Sequence, residues 1–99
     1  MVNINKLMKQ AQEMQAQMTR RLEEARIEAS SGGGAVTVVM NGKKDLISLS
    51  ISKDAVDPAD VEMLEDLVKA AFHEATRRVD EEVSEQFGGM LPPGFTPPF

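Results

Sequence analysis

Residues 1–24 read MVNINKLMKQAQEMQAQMTRRLEE, a stretch with no glycine, no proline and almost no β-branched residue. Ile4, Leu7, Met8, Ala11, Met14, Met18 and Leu22 recur at steps of three and four, the spacing of one apolar face on an α-helix. Lys6, Lys9 and Arg20 fall opposite that face, and Arg21 falls on its flank. The spacing predicts a helix from residue 3 to about residue 24, about 33 Å long at 1.5 Å per residue. A chain of 99 residues cannot easily cover so long a stripe alone, so the pattern points to a partner, most simply a second copy of the same chain. Methionines at positions 8, 14 and 18 suit a helix–helix interface, because the unbranched thioether fills irregular gaps.

Beyond this segment the period changes. Ile27 and Ala29 alternate with polar neighbours, so residues 26–30 read as extended. Ser30-Ser31-Gly32-Gly33-Gly34 reads as a flexible break leading into a strand. Two further strands are predicted over Ala35–Asn41 and Asp45–Ser52. In the first, Val36, Val38 and Met40 share a face; in the second, Ile47, Leu49 and Ile51 alternate with Ser48, Ser50 and Ser52. Asn41-Gly42 predicts a tight type I′ hairpin. A two-residue loop there pairs Val36 with Ile47; one at Gly42-Lys43 pairs Val36 with Leu49 and Val38 with Ile47. Both keep the aliphatic residues on one face, as the period of two demands. A lone hairpin is marginal in water, so a third strand or a second subunit must extend it. Whether that third strand precedes the hairpin stays open.

Asp57-Pro58-Ala59-Asp60 predicts the start of a second helix, with Asp57 as cap and Pro58 in the first position. Its stripe is Val61, Leu64, Val68, Ala71, Phe72, Ala75, Val79 and Val83, and Gly88-Gly89 predicts its end. Residues 90–99 contain four prolines and read as an extended tail. The expected organisation is a single α+β domain over residues 1–89, followed by a Pro-rich tail over 90–99. Its core is expected to join Val36, Val38, Ile47, Leu49 and Ile51 to Leu64, Val68, Phe72 and the methionine stripe, shared between the subunits of a homodimer.

Composition excludes several classes of function. There is no cysteine, hence no disulfide and no thiolate metal site, in keeping with a cytoplasmic protein. No apolar run approaches the ~18 residues of a membrane span, and the amino terminus lacks the form of a signal peptide. His73 is the single histidine, off the apolar stripe and beside Lys69 and Arg77, without companions for catalysis or metal binding. The glycine run is no phosphate loop, because no Gly-Lys-Ser/Thr and no helix follow it. The carboxylates of the second helix read as a solvated face with bases four residues away: Glu65 with Lys69, Glu74 with Arg78, Arg77 with Glu81. No enzyme, cofactor, metal or small-molecule substrate is expected.

Charge is the remaining signal. The chain carries −5 overall, but residues 1–53 hold eight Lys/Arg against five Asp/Glu, while residues 54–99 hold three against eleven. Such asymmetry suggests two surfaces with different partners. Lys6, Lys9, Arg20 and Arg21 on the first helix, with Lys43 and Lys44 at the hairpin, could neutralise phosphates without reading sequence. No aromatics interleave them, which disfavours single-strand stacking.

Three blocks carry a resemblance. Leu7-Met8-Lys9-Gln10-Ala11-Gln12-Glu13-Met14-Gln15 opens the chain. Met63-Leu64-Glu65-Asp66-Leu67-Val68-Lys69-Ala70-Ala71-Phe72, continued by Ala75-Thr76-Arg77-Arg78, forms the last helix. Gly89-Met90-Leu91-Pro92-Pro93-Gly94-Phe95 precedes the end. In this order and spacing they resemble the bacterial YbaB/EbfC family of nucleoid-associated proteins along essentially the whole chain. The resemblance implies a small cytoplasmic homodimer at the nucleoid, shaped like tweezers, that binds double-stranded DNA through helices projecting from a shared sheet. Its helical binding surface maps to Lys6, Lys9, Arg20 and Arg21 here, with Arg77 and Arg78 as second choices. Gly32 to Gly34 depart from the family pattern in being unusually glycine-rich. The competing reading is a protein-interaction adaptor that docks a partner on the methionine helix or the Pro-rich tail.

Overall fold

The computed structural model describes residues 3–87. Helix α1 spans Ile4–Glu24, strands β1, β2 and β3 span Ile27–Ser31, Val36–Met40 and Leu46–Ile51, and helix α2 spans Val61–Phe87, with a 3-10 turn over Lys53–Ala55 before it. The three strands form one antiparallel sheet in the order β1-β2-β3, so the third strand does precede the predicted hairpin. Gly88-Gly89 and the tail over 90–99 lie outside the described residues.

The α1 bounds follow from its ends. Asn3 caps it, its side-chain oxygen accepting a hydrogen bond from the Lys6 amide at 3.3 Å. At the other end the Arg26 guanidinium donates to the Glu23 and Ala25 carbonyls, each at 2.8 Å, satisfying groups a helix terminus leaves open. Only Leu22 of α1 is buried, and Met18 packs partly against the core. Ile4, Leu7, Met8 and Met14 stay more than half exposed.

Helix α2 lies across β1 and β2. The Ser31 hydroxyl donates to the Leu67 carbonyl at 2.6 Å near one end, and the Arg78 guanidinium donates to the Glu28 carbonyl at 2.8 Å further along. Ala71, Ala75, Val79 and Val83 bury against Ile27, Ala29, Val36, Val38 and Met40. The two alanines let the helix backbone approach the sheet closely, and each fully buried valine contributes about 1.5–3 kcal/mol. Of the residues expected in a shared core, Val36 and Val38 are buried and Leu64 and Val68 are partly buried, whereas Ile47, Leu49, Ile51 and Phe72 are exposed.

Three local expectations are corrected. First, Val36 pairs with Ile51 and Val38 with Leu49, so both short-loop registers are wrong. Pairing stops at Met40 opposite Leu46, residues 41–45 form the loop, and the irregularity between Val39 and Met40 leaves Ile47 as the unmatched residue of β3. The reason is that Asn41 builds a wider loop with its side chain, and the left-handed residue is Lys44 (φ 66°), not Asn41 or Gly42. Second, the cap of α2 is Asp60, which accepts from the Met63 amide at 3.2 Å; Asp57 instead closes the preceding turn by accepting from Ala59 at 2.9 Å. Third, Gly32–Gly34 do not form a loose linker. They make the β1–β2 hairpin turn, all at positive φ, with Gly34 donating to the Ser31 carbonyl.

Candidate functional site

Lys6, Lys9, Arg20 and Arg21 all sit exposed on α1. At about 100° per residue, Lys6, Lys9 and Arg20 lie on the side of α1 opposite Met18 and Leu22, with Arg21 on the flank. Lys6 and Arg20 stand about 21 Å apart along the axis. None of the four makes an ion pair with another described residue.

The other bases are engaged. Arg77 donates to Glu74 at 2.7 and 3.1 Å and to Glu81 at 2.9 Å; Arg78 donates to Glu74 at 3.1 Å. The side-chain hydrogen bonds from Arg77 and then Arg78 hold the Glu74 carboxyl at about 2, well below its ordinary 4.5. The same bonds with Glu74 push the Arg77 guanidinium further up. Lys43 pairs with Glu23 at 3.4 Å and Lys44 with Asp80 at 2.8 Å. Sequence spacing foresaw the Glu74–Arg78 and Arg77–Glu81 pairs, whereas those of Lys43 and Lys44 join segments far apart in the chain.

The direction of α1 is set where it meets the 41–45 loop. Asn41 is buried; its side-chain oxygen accepts from the Lys43 amide at 2.9 Å and the Asp45 amide at 3.0 Å, and its amide nitrogen donates to the Asp45 carboxylate at 3.0 Å. The loop so shaped presents the Gly42 N–H to the Leu22 carbonyl at 2.7 Å. A Cβ on Gly42 would stand 2.8 Å from Leu22 Cδ2 and 3.1 Å from the Leu22 Cα and carbonyl oxygen, so only glycine lets the loop reach the helix backbone. Sequence reading singled out Asn41-Gly42 as a turn signal but missed its role as the seat of α1, because that contact spans twenty residues. It also missed Arg26, whose position just past the helix was the available signal.

Such an arrangement can do one thing well. A stiff, exposed helix carrying unpaired cations along one side can neutralise a row of phosphates, a contact that needs charge and spacing but no catalytic group. Among the described residues no group of three or more His, Cys, Asp or Glu is placed to hold a metal ion, and no helix is long and apolar enough to cross a membrane.

Comparison with known proteins gives the family and the fold. The model of the YbaB/EbfC DNA-binding family matches residues 1–95. A nucleoid-associated protein of Clostridium novyi is 52% identical, the match covering 94% of this chain and 88% of that protein. One of Rhodospirillum centenum is 45% identical over the whole of both. The crystal structure of an uncharacterized protein from Helicobacter pylori has the same fold, with a TM-score of 0.74 at 22% identity over 90% of this chain and 94% of the other.

Proposed function

The chain belongs to the YbaB/EbfC DNA-binding family, and from that premise we propose that it binds double-stranded DNA at the nucleoid as a tweezer-like homodimer, gripping backbone phosphates with the basic side of α1. The observation that carries the reading is a contrast. Lys6, Lys9, Arg20 and Arg21 stand exposed without an acidic partner among the described residues, whereas Arg77, Arg78, Lys43 and Lys44 are each held by one. Lysines and arginines already paired have less charge to offer a phosphate, so Arg77 and Arg78 rank behind the α1 bases as contacts. Acid elsewhere in the chain does not cancel the α1 field, since charges more than ~8 Å apart in physiological salt are largely screened from each other. No base-reading group is invoked, so sequence preference is weak and the role is architectural, with effects on gene expression following from DNA shape.

The homodimer is supported by β3. Its partner β2 occupies one edge only, and Leu46, Ile47, Leu49 and Ile51 are 46, 45, 45 and 37% exposed. Leu49 and Ile51 pair with Val38 and Val36 and so continue the core face beyond the reach of α2, where Phe72 is also exposed. A long apolar edge strand invites pairing with another chain, and a second copy of the same face is the simplest cover.

The test is a quadruple alanine variant at Lys6, Lys9, Arg20 and Arg21, titrated against random and A·T-rich duplexes at several salt concentrations. Affinity should fall alike for all sequences and the salt slope should flatten. An unchanged slope in a folded variant would remove α1 from the interface.

A further inference from the structure

We propose that α1 pairs antiparallel with α1 of a second copy, about a two-fold axis at Ala11, and that this contact is separate from the pairing through β3. The stripe on α1 is a large apolar feature that the described core leaves open: Ile4, Leu7, Met8 and Met14 are 68, 51, 56 and 57% exposed. The helix meets the folded unit in its last turns, where Met18 and Leu22 join the core and the Gly42 N–H reaches the Leu22 carbonyl. A helix of this length is marginal in water on its own, so the arm ahead of that seat gains order from a cover.

The shape, charge and area of the open face fit a second copy. Counted from Ala11, the apolar side chains of Ile4, Leu7, Met8, Met14 and Met18 stand at −7, −4, −3, +3 and +7, so the stripe is nearly the same in both directions. In an antiparallel pair, Met8 of each copy meets Met14 of the other and Ile4 meets Met18. Ala11 meets Ala11 at the centre, where the small side chains let the helix axes approach to about 8 Å. Charge permits the contact. The residues bordering the stripe are Gln10, Gln12, Gln15 and Thr19, while Lys6, Lys9 and Glu13 lie on the far side of the helix. A parallel pair would bring Arg21 toward Arg21, whereas the antiparallel pair carries each Arg21 past the first turn of the other helix.

The same geometry sets the strength and the consequence of the contact. Leu22 of one copy and Leu22 of the other stand about 33 Å apart along the axis. The folded units therefore lie at opposite ends of the pair, and α1 joins copies that β3 does not. Two faces about 21 Å long and about 10 Å wide bury on the order of 600 Å² together, about half of a standard stable interface. One such contact is transient, and it gathers copies that another tie already holds close, such as β3 pairing or a shared duplex. Lys6, Lys9 and Arg20 end on the two outer sides of the pair, so arms joined this way present cations to two duplexes at once. That consequence rests on the nucleic-acid reading; the pairing itself does not.

The absence of native cysteine makes the test direct. Ala11→Cys stands on the axis, and Ala16→Cys, also exposed but on the far side of α1, is the control. Under mild oxidation at high protein concentration, Ala11→Cys should link two chains about tenfold faster than the control. Equal rates, or an Ala11→Cys chain that stays unlinked, overturn the proposal and leave the stripe to another occupant. Direction is read by mixing Met8→Cys chains with Met14→Cys chains that carry a tag of different mass. Unlike chains should link in preference to like ones, and the reverse preference overturns the antiparallel pair. The tenfold preference for Ala11→Cys should persist alongside Leu49→Glu, which breaks pairing through β3; its loss there overturns a separate α1 contact. For bridging, Leu7→Gln, Met8→Gln and Met14→Gln are combined, since glutamine keeps helix propensity. Capture of a second duplex by an immobilised one should be lost, with affinity for a single duplex held within about twofold. Retained capture overturns the bridging. Native protein that binds no duplex at all would count against the nucleic-acid reading, and the crosslinks would still decide the pairing.

Discussion

At the scale of single residues, three positions turn geometry into measurable consequences. Gly42 is the seat of α1, and its missing side chain is what allows the 2.7 Å bond to the Leu22 carbonyl. Gly42→Ala should therefore destabilise the protein by about 1–3 kcal/mol through overpacking against helix backbone, read as a lowered denaturant midpoint. Gly33→Ala meets no atoms within 4 Å, so any loss there comes from its positive φ alone, which separates packing from backbone strain. Glu74 predicts a pH effect. Its carboxyl titrates at about 2 in the fold against an ordinary 4.5, so the folded state favours the charged form. That contribution is whole above pH 4.5 and is lost as pH falls toward 2. Thermal midpoints measured from pH 5 to 2 should fall more steeply for the native chain than for Glu74→Gln, and added salt should narrow the gap because Arg77 is half exposed.

At the scale of elements, α1 and α2 look alike in sequence and differ in what supports them. Both carry apolar stripes of helical period, yet α2 buries four residues against the sheet and α1 buries one. Sequence periodicity reports that a face is apolar, not which surface meets it. A proline at Gln12 should accordingly break α1, at a local cost of about 3 kcal/mol, without unfolding the rest. The expected result is a smaller helical circular-dichroism signal, unaltered amide protection in β1, β2 and α2, and lost DNA affinity. A collapse of protection throughout would mean that α1 supports the core more than its exposure implies. The β2–β3 register teaches a related lesson. Alternation placed Val36, Val38, Leu49 and Ile51 on one face, and they share it, but every register shifted by two does the same. The choice among them fell to Asn41, whose side-chain hydrogen bonds shape a loop that alternation cannot see.

At the scale of the whole molecule, the arrangement separates a folded unit of sheet and α2 from an arm. The proposed pairing through β3 would bring two arms onto one duplex. Four α1 bases per protomer then give up to eight phosphate contacts and a log–log salt slope of about −7, against about −4 for a single protomer. Leu49→Glu places a charge on the exposed β3 face, where the protomer tolerates it and a paired copy does not. It should yield a folded monomer by light scattering, with roughly half the salt slope of the native protein. A folded dimer with native slope would place the contact between copies elsewhere.

Composition and period sufficed to determine the two helices and the strands of the hairpin, the apolar face of each, the ends of α1 and the sign of the charge it presents, while the place of the third strand before the hairpin waited for the structure. These are properties of residues near one another in the chain, where steric preference and spacing act directly. Tertiary structure alone decided the register set by Asn41, the use of Gly42 to seat a helix twenty residues away, the pairing of Lys44 with Asp80, and the exposure of both α1 and β3. Each of these depends on which distant surfaces meet, and a stripe of side chains carries no address for the surface that will cover it.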